Sequence, residues 1–206
     1  MSDVLVEWEH GTGGRATAEA MLCRIVAARL GIAEVAVTVG RHCPRCGSSA
    51  HGRPVVLAPE CAPMPASISY AAGLVAVAVA ESAVVGVDVE AVDGRSFDGL
   101  ADLLLHPAEP VADARGLATT WVRKEALLKA TGEGLATPLT GIRVSPPHRP
   151  AGLVSWHREE APDRVTVRDL DVGDGHVGCV AVLADHPVEI SARVAGPAAA
   201  PGEATP

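Results

Sequence analysis

Residues 112–135 read ADARGLATTWVRKEALLKATGEGL. Leu117, Trp121 and Leu128 recur at helical spacing, which predicts a helix over 112–131. Gly132 is its expected stop, because glycine takes the left-handed cap without steric cost. At about 100° per residue, the neighbours of Glu125 one turn away are Trp121, Val122, Leu128 and Lys129. Glu125 therefore sits at the edge of the buried face, where a carboxylate is costly unless its charge is offset. Two readings fit it: an ordinary i,i+4 pair with Lys129, worth a few tenths of a kcal/mol, or a metal ligand. The chain has 17 Lys and Arg, and its only two lysines are Lys124 and Lys129 in this helix. A compact ammonium suits a phosphate oxygen where a flat guanidinium is too wide.

Upstream, Val84–Glu90 (VVGVDVE) alternates as a strand. Asp88 and Glu90 share one face, about 7 Å apart. They fit two ligands converging on one hard cation, with Gly86 leaving room beside them, or a solvated edge face. The run before it, Leu74–Ala80 (LVAVAVA), predicts a partner strand, and Glu81-Ser82 between them reads as the turn of a hairpin. Ala66–Tyr70 (ASISY) is a short strand. His51-Gly-Arg-Pro54 reads as a shaped loop offering an arginine fork to an anion, or as a turn before a strand at 55–57. Arg15–Leu30 predicts a helix closed by Gly31. An arginine at a helix start, as Arg15 is, can also hold a phosphate. Strands are further expected within 1–9 and at 34–39, 141–144, 152–157, 164–170 and 176–183, the last of them central. Residues 91–111 read as a linker with a short helix. The HGTGG turn at 10–14 lacks the lysine of a phosphate-binding Walker motif.

Composition narrows the class. The chain has 206 residues and is 48% hydrophobic, but has only three Trp, one Tyr and one Phe, so small aliphatics build the core. No apolar run reaches about 18 residues, so no membrane span is expected. The start, MSDVLVEWEH, carries acids and no basic region, so it does not read as a signal peptide. A formal charge of −8 argues against a broad nucleic-acid surface. Five cysteines, at 23, 43, 46, 61 and 179, give an odd count and a reduced, cytoplasmic protein as the default. Cys43-Pro-Arg-Cys46-Gly is a knuckle of the zinc-binding kind, to which His42, His51 or Cys61 could add ligands; the other reading is a thiol-containing turn.

HGRP, then SISY, GVDVE, WVRKEALLK and GEGL, in that order over residues 15–183, resemble the 4′-phosphopantetheinyl transferases of the monomeric Sfp type. That family carries a G-[KR]-P loop, a short S-H strand, a G-[IV]-D-[IV]-E strand and a [WF]-x-x-K-E-[AS]-x-x-K helix. The resemblance implies an α+β fold, a pseudo-dimer of two similar halves. Each half would pack a helix on a small antiparallel sheet, with the active site between them. Residues 1–82 would form the half with the nucleotide-binding loops and the CxxC knuckle. Residues 83–190 would carry the acids and the catalytic helix, and 191–206 a disordered tail.

The implied reaction moves the 4′-phosphopantetheine of coenzyme A to a serine of an acyl or peptidyl carrier protein, releasing 3′,5′-ADP. By carry-over, Asp88, Glu90 and Glu125 bind Mg²⁺. Arg15, Arg53, Ser69, Tyr70, Lys124 and Lys129 contact the coenzyme, and Glu125 and Lys129 are catalytic, Glu125 as the base. A structural zinc at Cys43 and Cys46 is the further metal expected. Tyr70 stands where the family has histidine, so it can donate a hydrogen bond but brings no positive charge. Two alternatives remain open at this point: a member that binds carrier or nucleotide without turnover, and a zinc-knuckle interaction protein.

Overall fold

The computed structural model describes residues 3–11, 14–60, 64–93, 97, 99–110, 112–134, 137–156 and 164–196. The chain is α+β. Strand β1 (Val4–His10) leads into helix α1 (Arg15–Leu30), then β2 (Thr38–His42), β3 (Arg53–Ala58), β4 (Ala66–Ala71), β5 (Leu74–Ala80) and β6 (Val84–Ala91). A single turn, α2 (Ala101–Leu104), precedes the long helix α3 (Ala114–Thr131). Five strands close the chain: β7 (Ile142–Val144), β8 (Leu153–Trp156), β9 (Val165–Leu170), β10 (His176–Leu183) and β11 (Ile190–Val194).

Four strands form one sheet in the order β11-β1-β5-β4, and three form another, β6-β10-β9. All pairings in them are antiparallel except β1 with β11. Two-stranded ladders, β2-β3 and β7-β8, stand apart. The period of 2 in β5 explains the layering. Val75, Val77 and Val79 pack with Met21, Leu22 and Ile25 of α1, whereas Ala76, Ala78 and Ala80 face the other way. There they meet Val85, Val87 and Val89 of β6 and Val180 and Val182 of β10. The opposite face of β10, with Cys179 and Ala181, packs with Ala126, Leu127 and Ala130 of α3. Each fully buried valine contributes roughly 1.5–3 kcal/mol, so these stripes carry much of the stability.

Local signals set the helix ends. Asp113 accepts a hydrogen bond at Oδ1 from the Gly116 amide at 2.8 Å, so α3 begins at Ala114 rather than 112. Gly31 and Gly132 close the two helices in the left-handed conformation, with φ of 66° and 78°. Gly86 has a different cause. A Cβ there would lie 2.0 Å from the Ala126 carbonyl oxygen, so glycine is what lets α3 lie directly on β6.

Three sequence expectations need correction. Residues 74–80 and 84–90 are both strands but do not pair as a hairpin. Both edges of β5 are taken by β1 and β4, so the chain crosses at 81–83 into the other sheet, where β6 pairs with β10. Residues 34–39 are not one strand, because Glu34–Ala36 form a 3-10 turn closed by Val37 N–H to the Glu34 carbonyl at 2.9 Å. Val35 there is 95% exposed, so its alternation never reflected burial. The expected disordered tail from 191 is overtaken at its start: Ile190–Val194 add to β1 in parallel, with Val6 opposite Ala192. Residues 197–206 lie outside the described residues, as does Cys61. Among the described residues, no helix is long and apolar enough to cross a membrane.

Candidate functional site

Strand β6 turns Asp88 and Glu90 toward α3, and α3 presents Glu125 and Lys129 one turn apart. Where β4 runs beside β6, serine hydroxyls join the two sheets. Ser67 Oγ accepts from the Val87 amide at 3.0 Å and Ser69 Oγ from the Val89 amide at 3.3 Å. Ser69 donates its own hydrogen to Asp88 Oδ1 at 2.7 Å. The Lys129 ammonium completes the group, donating to Asp88 Oδ1 at 2.7 Å and to Ser69 Oγ at 2.9 Å.

The acids are short of partners. Asp88 is 3% exposed, and its second oxygen, Oδ2, is buried with no hydrogen bond. Glu125 Oε1 is buried and unpartnered in the same way. Burial pushes the Asp88 carboxyl up, against the pull of Lys129 and Ser69. Glu90 rises to about 7, through burial first and then repulsion from Asp88, with Glu125 adding to it. Glu125 rises to about 6, again through burial and then Asp88. Buried unsatisfied carboxylate oxygens beside like charges are costly. Carboxylate oxygens suit a hard divalent cation, which would offset that repulsion. The oxygens of Asp88, Glu90 and Glu125 do not all lie within 4.8 Å of one another, so the three acids would have to draw together to share one.

That cost has a pH signature. A carboxyl whose folded pKa is raised holds its proton more tightly folded than unfolded, so stability falls as pH rises between the two values. For Glu90 and Glu125 the window runs from 4.5 up to about 7 and about 6, respectively. Metal-free protein should therefore melt a few degrees lower at pH 8 than at pH 5.5. Millimolar Mg²⁺ should raise the pH 8 value, and Glu90→Gln should flatten the slope. A melting temperature that climbs across this window and ignores Glu90→Gln would contradict the assignment.

A cleft of about 450 Å³ lies beside this cluster, within the size range of small-molecule sites. Lys129 borders both. Arg41, Arg45 and Arg53 add positive charge to its wall. Arg53, from the HGRP loop, donates through Nη2 to the carbonyls of Lys129 and Ala130, tying that loop to the end of α3. Arg41 was not singled out in the sequence. It lies on β2 opposite Pro54 and donates to Tyr70 Oη at 3.2 Å and to the Gly52 carbonyl at 3.1 Å. Its signal was the basic pair Arg41-His42 just before the knuckle, beyond the residues expected to be a strand. Arg41 thus brings to Tyr70 the positive charge that a tyrosine lacks.

Other expected contacts are placed differently. Lys124 does not reach the cleft. It is 0% exposed, and its ammonium donates to the Leu104 carbonyl at 2.7 Å, Glu109 Oε2 at 2.6 Å and the Leu139 carbonyl at 3.1 Å. All three of its hydrogens are used, so it pins α2 and the 139–141 turn to α3 and has none left for a phosphate. Arg15 donates to Glu19 one turn on at 2.7 Å. Ser69 has given its only hydrogen to Asp88, so in this structure it positions that acid and faces no ligand. Arg123, next to Lys124, is also fully buried and forks onto Asp169 at 2.9 and 2.6 Å.

The knuckle is brought together with His51. The ligand atoms of Cys43, Cys46 and His51 lie within 4.8 Å of one another, the one such group among the described residues. His42, at the end of β2, is not part of it.

Residues 84–182, from β6 to β10, match the family model described as the 4′-phosphopantetheinyl transferase superfamily. The match covers Asp88, Glu90, Glu125 and Lys129. No curated protein matches the chain.

Proposed function

We propose that this chain is a 4′-phosphopantetheinyl transferase of the Sfp type, acting on coenzyme A and a carrier-protein serine. The observation that carries the reading is that Asp88, Glu90 and Glu125, near enough for their charges to repel and with two orphan oxygens among them, lie beside Lys129, which borders an arginine-walled cleft. The superfamily match over the same elements supports it. In this reading the site lies between two halves, 1–82 and 83–190. The protein is a cytoplasmic monomer that meets its carrier through a local basic patch, since its net charge is −8.

Asp88, Glu90 and Glu125 would hold Mg²⁺, which when bound neutralises the pyrophosphate of coenzyme A and makes its phosphorus easier to attack. Arg41 and Arg53 take the nucleotide end in the cleft. Lys129 moves its hydrogen bond from Asp88 to a phosphate oxygen and supports the charge that develops there. The carrier serine oxygen attacks the phosphorus bearing the pantetheine, and the bond to the bridging oxygen breaks. 3′,5′-ADP leaves with that electron pair. The serine proton goes to Glu125, directly or through a water; burial raises its proton affinity toward that needed in a base, and a bound cation would lower it.

Product analysis tests this. With coenzyme A, Mg²⁺ and apo carrier protein present, 3′,5′-ADP should accumulate, one per carrier. None should form if carrier or Mg²⁺ is left out. Coenzyme A bound but never turned over, on fatty-acid, polyketide and peptide carriers alike, would show a binder without turnover and reject the reading.

A further inference from the structure

We propose that Cys43, Cys46 and His51 form a zinc site that fixes the loop between β2 and β3, and through it the basic wall of the cleft. The three side chains converge without a metal. Cys46 Sγ lies 3.3 Å from His51 Nε2, and all three ligand atoms fall within 4.8 Å of one another. Tetrahedral zinc with ordinary bond lengths sets two thiolates about 3.8 Å apart and a thiolate and an imidazole nitrogen about 3.6 Å apart. The observed spacing needs only small adjustments to meet that.

The backbone is wound as a metal knuckle. The Cys43 amide donates to the Ser48 carbonyl and the Gly47 amide to the Cys43 carbonyl, each at 2.9 Å. Gly47 takes φ of 71°, and the amides of Arg45 and Cys46 point at the Cys43 sulfur. Two sulfurs and one imidazole form a soft donor set, which selects zinc over the hard cation suited to the carboxylates. Among the described residues no fourth His, Cys, Asp or Glu joins the group.

The loop needs such a brace. Between Cys43 and Arg53 it holds no large apolar side chain, so little hydrophobic burial orders it. Yet Cys43, Arg45, His51, Gly52 and Arg53 all line the cleft. Gly52 passes so close to β2 that a Cβ there would lie 2.3 Å from the His42 carbonyl oxygen, and Arg41 bonds the Gly52 carbonyl. Zinc on Cys46 and His51 would hold Gly52, and with it Arg41 and Arg53, in register with α3. The metal site stands on its own geometry. Its link to coenzyme binding rests on the transferase reading.

The test uses the full chain, purified under reducing conditions without chelator. Elemental analysis should find one zinc per chain. Cobalt substitution should give a thiolate charge-transfer band and the strong visible absorption of a tetrahedral site. Cys46→Ser and His51→Ala change exposed side chains, so both should fold, and each should weaken metal binding by roughly 100-fold. Stripping the metal should raise the Kd for coenzyme A roughly 10-fold, with zinc restoring it. Absence of zinc together with no cobalt–thiolate band overturns the site. So does full metal affinity in both variants. A coenzyme A Kd indifferent to the metal overturns the link to the cleft. Failure of both forms to bind coenzyme A overturns that link and the transferase reading together, while the metal count still decides the site.

Discussion

Glu125→Gln should cut transfer to a carrier protein by roughly 10³-fold while leaving the protein folded and more stable at pH 8. Glutamine keeps the length and shape of the side chain, so α3 and its packing on β6 are undisturbed. It loses the charge that a cation needs and the basicity that the serine proton needs. The gain in stability has the same origin. Glu125 carries a buried oxygen without a partner, and burial, followed by repulsion from Asp88, pushes it up to about 6. Removing its charge relieves that repulsion. An acid that cost stability to keep and was worth nothing to activity would be hard to understand, so the opposed effects are the signature of a working group. Rates at saturating coenzyme A, together with melting curves at pH 8 without Mg²⁺, check both halves. Equal loss of stability and activity would mean Glu125 only supports the fold.

Lys124→Met should destabilise the protein by about 3–5 kcal/mol, the usual consequence of removing one partner from a buried ion pair. Glu109 is nearly as buried as Lys124, with side chains 5% and 0% exposed, and would be left with an uncompensated charge. Two backbone carbonyls, those of Leu104 and Leu139, would lose their donor as well. Glu109 still accepts from the amides of His106 and Val144, so it cannot simply turn to water. The double change Lys124→Met with Glu109→Gln should recover part of the loss. The KM for coenzyme A should stay unchanged in the folded fraction, because Lys124 has no route to the cleft. A raised KM with unaltered stability would return Lys124 to the phosphate-binding role its motif suggests. Urea unfolding and coenzyme A titration of the rate separate the two.

Parts of this molecule could be read directly from the chain. Helix α1 and strands β5 and β10 fall on the predicted residues because their apolar periods are long and their ends carry glycine or charge. Glu125 was readable as a half-buried acid from its own helix, since Trp121 and Lys129 are local neighbours. What the sequence hid depends on distant partners. That β5 and β6 do not pair follows from β1 and β4 already holding both edges of β5, and nothing within residues 74–90 signals that. Lys124 is chosen as a lysine, but for three acceptors 15 and 20 residues away rather than for a phosphate. Arg41 escaped because its strand starts later than its alternation suggested. Tyr70 looked like a lost charge until β2 was seen to bring Arg41 against it. Of the candidate partners for the cysteine knuckle among the described residues, His42 and His51, geometry selects His51, because the loop folds back through Gly52.

The central claim is that Asp88, Glu90, Glu125 and Lys129 serve phosphopantetheine transfer. The most direct measurement is the intact mass of an apo carrier protein after incubation with this chain, coenzyme A and Mg²⁺, with Glu125→Gln run beside it. The expected result is a gain of one phosphopantetheine per carrier that Glu125→Gln abolishes. An unmodified mass on every carrier class, or an equal gain with the Glu125→Gln protein, would contradict it.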